Sequence, residues 1–264
     1  MFIFWVLALL SAEPSREGLL TGTWVADLTS QQGLPTDVYV VHGGTYKCVS
    51  CVPARKYPSD GKMRTVVEVP PVSEAVTIID ARTISTRIVE PGLVRTTTMR
   101  VAPDGQTAVY VSLDRRQGIE GLLRTEYLAR RVAPGPAGSH AVSGSWQGVR
   151  YVSVPLQLRT TILSEDGEQF SYRTGTGYSY TASYQGSFVP ISGPYDGSTS
   201  VSVRKVSPYR VVETRRRGGQ EIQTRTYTVG RNGQVMEIAT MNPVTNTTFR
   251  VTARRQGRAR RTPR

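Results

Sequence analysis

Along most of this chain apolar and polar positions alternate, and the alternation breaks at short intervals on Gly, Pro, Asn or Asp. A period of two marks strands with one face buried, and no segment sustains a helical period. In "TTTMRVAPDGQTAVYVSL" (96–113) two alternating stretches flank Asp104-Gly105, and "TRTYTV" and "QVMEIAT" flank Asn232-Gly233 in the same way. Both dipeptides supply the positive φ that a tight hairpin turn needs. Further strands are predicted in "DVYVV", "TISTRIV" and "LLRTEYLARR", then in "QFSYRT", "YSYTASY", "STSVSVRKV", "YRVVETR" and "TTFRVTARR".

The pattern also repeats on a larger scale. Gly22-Thr23-Trp24 returns as Gly144-Ser145-Trp146, "VRTTTMRVAPDGQ" (94–106) lies over "IQTRTYTVGRNGQ" (222–234) without a gap, and "ARR" at 129–131 lies over 253–255. The chain is an internal duplication. Residues 132–143, "VAPGPAGSHAVS", have the composition of a linker between the copies. So many consecutive strands with no helices between them leave exposed edges unless each sheet closes. The expected fold is therefore all-β: two tandem antiparallel meander β-barrels of about 8–10 strands each, with a Greek-key sandwich as the alternative. The expected layout is a signal peptide and N-terminal extension over 1–18, barrel 1 over 19–131, a linker over 132–143, barrel 2 over 144–255 and an Arg-rich tail over 256–264.

Composition adds the compartment. The opening run MFIFWVLALL is too short for a membrane-spanning helix but suits the apolar centre of a secretory signal, with Ser11-Ala12 as a cleavage site; a tethered N-terminus is the alternative. Charge changes the picture less than its sum suggests. Arg254, Arg255, Arg258, Arg260, Arg261 and Arg264 fall in the last eleven residues, and taking these six from the net +13 leaves +7 elsewhere. The remaining arginines alternate with Thr along strands and are not interleaved with aromatics, which reads as a solvated Arg-biased surface. Nucleic acid is disfavoured as a partner, and an anionic envelope surface met by the Arg tail is the candidate that remains.

Chemistry is sparse. Cys48 and Cys51, the only cysteines, are spaced for a local disulfide, a redox pair or half a metal site. The disulfide is the expectation for an exported chain, and it requires a bend at Val49-Ser50, since bridged Cα atoms lie within about 7 Å. His42 beside Gly43-Gly44 reads as an exposed turn residue, and Glu165, Asp166 and Glu168 in "SEDGEQ" as a solvated turn. With two His residues in the chain, a hydrolytic triad lacks a base; no catalytic, cofactor or metal residue is expected. Tyr178, Tyr180 and Tyr184 share parity and would line one face of a strand.

A Gly-x-Trp on the first strand, a run of hairpins and an Arg on the last strand resemble the calycin group, the lipocalins and fatty-acid-binding proteins. In that group the Trp closes one end of the barrel and the Arg packs across its ring. The resemblance implies that Trp24 pairs with Arg130 or Arg131, and Trp146 with Arg254 or Arg255, a structural contact of about 0.5–2 kcal/mol. "TYKCVSC" (45–51), the Asp-Gly hairpins and "GPAGSHAVSGSW" (135–146) are similar to uncharacterised exported bacterial proteins built from two lipocalin-like repeats. The likeness departs at residues 63–75 and in the Arg tail. It implies fold and a secreted or periplasmic location, and no established activity. The functional expectation is a non-enzymatic binding protein for a small hydrophobic or amphipathic ligand in one barrel lumen, the Tyr-rich second favoured, with Tyr178, Tyr180 and Tyr184 as candidate lining residues and core or surface-strand packing as their alternative role. The alternatives are a structural or interaction module of the cell envelope and a thiol-redox protein using Cys48 and Cys51.

Overall fold

The computed structural model describes residues 18–51, 53–67, 71–193, 198–243 and 245–257. The apolar run at the start of the expected signal, and Arg258, Arg260, Arg261 and Arg264 of the tail, lie outside the described residues. In chain order the strands are β1 (Gly22–Ala26), β2 (Thr36–His42), β3 (Thr45–Cys48), β4 (Arg55–Pro58), β5 (Arg64–Val67), β6 (Val72–Asp80), β7 (Thr83–Glu90), β8 (Leu93–Val101), β9 (Thr107–Arg116), β10 (Leu123–Pro134) and β11 (Gly144–Ser153). They continue with β12 (Thr160–Asp166), β13 (Gln169–Thr174), β14 (Ser179–Ser183), β15 (Val189–Pro190), β16 (Ser200–Ser207), β17 (Arg210–Arg217), β18 (Gln220–Val229), β19 (Val235–Asn242) and β20 (Thr247–Arg255).

These strands form two antiparallel sheets of ten, each curled into a nearly closed barrel. The hairpins fall where the dipeptides place them: Gly105 and Gly233 take φ of 67° and 66°, and the Asp104 and Asn232 carboxyl and amide oxygens accept from the backbone N–H two residues on. Near the seam of barrel 1 the Gly61 N–H donates to the Val76 carbonyl at 2.9 Å, and in barrel 2 Ser179 bridges to Ser192.

The order within each barrel departs from a simple tandem at one strand. Barrel 1 runs β4-β3-β2-β11-β10-β9-β8-β7-β6-β5, and barrel 2 runs β14-β13-β12-β1-β20-β19-β18-β17-β16-β15. The two Trp strands have changed places: β1 lies between β12 and β20, and β11 lies between β2 and β10. The boundaries expected at 19–131 and 144–255 are corrected accordingly. Barrel 1 takes Trp146 and barrel 2 takes Trp24, and the chain passes between barrels at 27–35 and at 154–159.

Residues 132–143 are therefore a hairpin connection inside barrel 1 and not a linker between domains. β10 extends to Pro134, Val142 and Ser143 are buried, and the His140 N–H donates to the Val41 carbonyl at 2.9 Å. The stretch has few large side chains because its backbone packs closely against the barrel end. A Cβ on Gly144 would lie 2.5 Å from the Ala133 carbonyl oxygen and 2.8 Å from Arg131 Nη1.

Each barrel holds its own core. Trp24, Leu163, Phe170, Val211, Tyr227 and Met236 are among the buried residues of barrel 2, and Val41, Val76, Met99, Ala129 and Trp146 among those of barrel 1.

Candidate functional site

Both barrels are plugged at one end by the same device. Trp146 is fully buried and donates its indole N–H to the Val142 carbonyl, and Arg131 lies 4.1 Å from its ring centroid. Arg131 also donates to the carbonyls of Gly105, Ala141 and Ser143. In barrel 2, Trp24 donates to Leu20 and Arg255 lies 4.5 Å from the Trp24 ring centroid, donating to the carbonyls of Gly233, Leu19 and Thr21. The expected pairings are thus exchanged: Arg131 serves Trp146, and Arg255 serves Trp24. In the ladder these residues are direct partners, Trp24 opposite Arg255 and Trp146 opposite Arg131. Arg130 and Arg254 alternate to the exposed face.

Away from the plugs, where the chain crosses between barrels, a partly enclosed cavity of about 600 Å³ runs from the lumen of barrel 1 into the mouth of barrel 2. Leu28, Gln31, Val154, Leu158 and Arg159 from the two crossings form its waist. Most of the wall on the barrel 1 side comes from the inward faces of β7, β8, β9 and β10, and Ile238, Phe249 and Val251 close the other side.

The wall of barrel 1 is polar in an ordered way. Arg95 grips both oxygens of Asp114 at 2.7 Å, Arg116 reaches the same carboxylate at 2.9 Å, and Arg55 pairs with Glu74 at 2.5 Å. Burial alone would raise the Asp114 pKa, but its bonds to Arg95 and Arg116 outweigh that and hold it below the usual carboxylate range. Asp37 is the opposite case: burial pushes it up, against a hydrogen bond from the Tyr127 hydroxyl at 3.1 Å and a contribution from Tyr39. The aromatic wall is continuous, with Tyr110 and Tyr127 ring centroids 4.6 Å apart and Tyr127 and Tyr151 5.5 Å apart. Burial raises these phenols first of all, so they are neutral hydrogen-bond donors at ordinary pH.

Barrel 2 is filled instead. Tyr178, Tyr180 and Tyr184 do share one inward face, yet all three are buried, and none lines the cavity. Their hydroxyls are committed: Tyr180 donates to Glu213 at 2.8 Å, Tyr184 donates to Glu165 at 2.7 Å, and Tyr178 accepts from Arg215 at 2.9 Å. Glu213 and Arg215 form an ion pair that is almost wholly excluded from solvent. Tyr227 adds a third bond to Glu213 at 2.6 Å. Burial would raise Glu213, but Arg215 and Arg225 keep it ionised and below its ordinary range. A buried network whose members satisfy one another specifies a core. The three tyrosines pack in the core of barrel 2, and the cavity lies next to them, chiefly in barrel 1 and the waist.

Two further expectations are corrected. Glu165 is not in a solvated turn; it is buried on β12 and takes bonds from Lys205, Tyr184 and the Leu20 N–H. Nor are the arginines that alternate with Thr all surface residues, since Arg95, Arg215 and Arg225 point inward onto carboxylates and phenols. Cys48 and Cys51 form a disulfide with Cα atoms 5.5 Å apart, and Cys51 lies at the cavity edge. His42 is exposed at the end of β2, beside the Gly43-Gly44 turn, and among the described residues no group of three or more His, Cys, Asp and Glu could hold a metal ion.

The residues that make the cavity distinctive, Asp37, Arg95, Tyr110, Asp114 and Tyr127, were not singled out by sequence. The signal was present: Arg95, Thr97 and Met99 on β8, and Tyr110, Ser112 and Asp114 on β9, are polar and apolar side chains sharing a single parity. No family model, no curated protein and no solved structure matches this chain.

Proposed function

We propose that the protein is a non-enzymatic, lipocalin-like carrier, exported to the cell envelope or beyond it, that holds one small amphipathic molecule in the cavity between its barrels. The observation that carries this reading is the cavity itself: about 600 Å³, within the roughly 300–1,000 Å³ of small-molecule sites, and walled by apolar and aromatic side chains interleaved with fixed polar and charged groups. The contrast with barrel 2 supports it, because the same fold there fills its own lumen. A carrier role fits the wall chemistry, in which the Glu74 and Asp114 carboxylates are held by guanidiniums and the phenols are pushed up, away from acid–base work near neutral pH. Export is supported by the disulfide and by the apolar run at residues 1–10.

Titration with an environment-sensitive amphipathic dye, anilinonaphthalene sulfonate, tests the reading. Binding of one dye per folded chain is expected. Thr97→Trp, which projects an indole into the cavity, is expected to abolish it while leaving the folded β-signal intact. Dye uptake unaffected by Thr97→Trp would remove the cavity as the site.

A further inference from the structure

The cavity carries formal charges with no opposite-sign group within ion-pair distance among the described residues, and they lie in different barrels. Arg225 enters it from β18, where its guanidinium donates to the phenols of Tyr172 at 3.1 Å and Tyr227 at 3.4 Å and to the Gln223 side-chain oxygen at 3.2 Å. No carboxylate lies within ion-pair distance of Arg225 among the described residues, and its buried Nε has no hydrogen-bond acceptor. Arg159 at the waist, its buried Nε likewise without an acceptor, adds a second positive charge.

On the barrel 1 side stands Asp37. Its described bonds come from phenols, and no Lys or Arg among the described residues is within ion-pair distance of it. Asp37 faces Tyr39, Tyr46, Tyr110, Tyr127 and Tyr151, whose titration each feels its charge. The Tyr110 hydroxyl lines the cavity, is more than nine-tenths buried, and has no hydrogen-bond partner among the described residues. A carboxylate inside a ring of phenols is chemistry suited to an ammonium group: a counter-charge, π faces and spare hydroxyl oxygens. A guanidinium backed by phenols, whose cross-strand neighbour Glu213 is already ion-paired with Arg215, suits an anion such as a carboxylate or phosphate monoester. Between them, Leu28, Val154, Leu158 and Ile238 offer an apolar middle.

We propose that the cavity takes a single dipolar amphiphile lengthwise across the two barrels, its ammonium group among the tyrosines at Asp37 and its anionic group on Arg225. This rests on the carrier reading above and adds the class of ligand to it. It also explains why one site is shared: neither barrel alone presents both charges to the same space.

Three probes of equal chain length separate the outcomes by calorimetry on the full chain: ω-aminododecanoic acid, dodecanoic acid and dodecylamine. The aminoacid is expected to bind one per chain and at least about tenfold more tightly than either singly charged probe, the scale of one charge-assisted contact. Asp37→Asn is expected to weaken the aminoacid and the amine by about tenfold while sparing dodecanoic acid; Arg225→Gln should weaken the aminoacid and dodecanoic acid while sparing the amine. The comparison of probes on the unaltered protein needs no variant to fold. Equal affinity for all three, each abolished by Thr97→Trp, overturns the dipolar assignment and leaves a binding cavity in place. No uptake of any of the three overturns both.

Discussion

The exchange of Trp strands makes a prediction opposite to the one the repeat order suggests. Trp24 sits in the N-terminal copy of the duplication, yet its strand is paired on both sides with strands of the C-terminal copy. Its indole is fully buried, donates a hydrogen bond of 2.8 Å to Leu20 and supports Arg255. Truncating a buried Trp costs about 3–5 kcal/mol, into which the lost guanidinium contact of about 0.5–2 kcal/mol is folded. A local loss of about 4 kcal/mol lowers amide protection by roughly three orders of magnitude in the unit that opens. Hydrogen–deuterium exchange read by peptide mass should therefore show Trp24→Ala accelerating β12, β19 and β20, with β2, β9 and β10 unchanged. Trp146→Ala should give the mirror image. Faster exchange of β2–β10 in Trp24→Ala, with β12–β20 unaffected, would refute the exchange and restore one independent barrel per repeat.

Other consequences are as direct. Arg131→Met and Arg255→Met each remove three backbone-carbonyl bonds and an indole contact; each should cost about 2–4 kcal/mol in denaturant unfolding, and the double variant should be additive because the plugs lie in different barrels. Reducing the disulfide should lower stability by only about 2 kcal/mol, since so short a loop restricts the unfolded chain little, and the midpoint with and without reductant checks this. Glu165, Glu213 and Asp114 are held below their ordinary pKa in the folded state, so the stability they contribute is present above the unfolded value, 4.5 for Glu165, and is lost as pH falls through the folded values. Unfolding midpoints should fall on acidification below that point, and Glu165→Gln should flatten the fall. Asp37 is raised, so its folded form favours the proton and its contribution declines as pH rises through the window above 3.8. Asp37→Asn should accordingly raise the thermal midpoint at neutral pH; a lower midpoint would count against burial as the dominant influence on it.

Much of the fold was legible because it is written locally. Alternation located the strands, Asp104-Gly105 and Asn232-Gly233 located two hairpins, and the Cys48–Cys51 spacing located a bend. The strand exchange was not legible, because Gly22-Thr23-Trp24 and Gly144-Ser145-Trp146 offer either barrel the same small residue, the same indole and the same partner type. What decides between them is geometry beyond the motif. Residues 135–143 close a hairpin from β10 directly into β11, and β1, left without a place in barrel 1, completes barrel 2. The cavity was misplaced for a different physical reason. Tyrosine density marked barrel 2, but Glu165, Glu213 and Arg215 bind those hydroxyls and turn the tyrosines into core. In barrel 1 the wall includes Arg95, Thr97 and Asp114, residues that read as surface until their shared parity is taken as the inward face.

The central claim is that one small molecule occupies the space between the barrels. Native mass spectrometry of the gently purified protein tests it most directly. The account predicts one additional mass per chain that disappears on denaturation and is absent from Thr97→Trp prepared alongside. A bare chain that also fails to take up any of the three amphiphilic probes would contradict it.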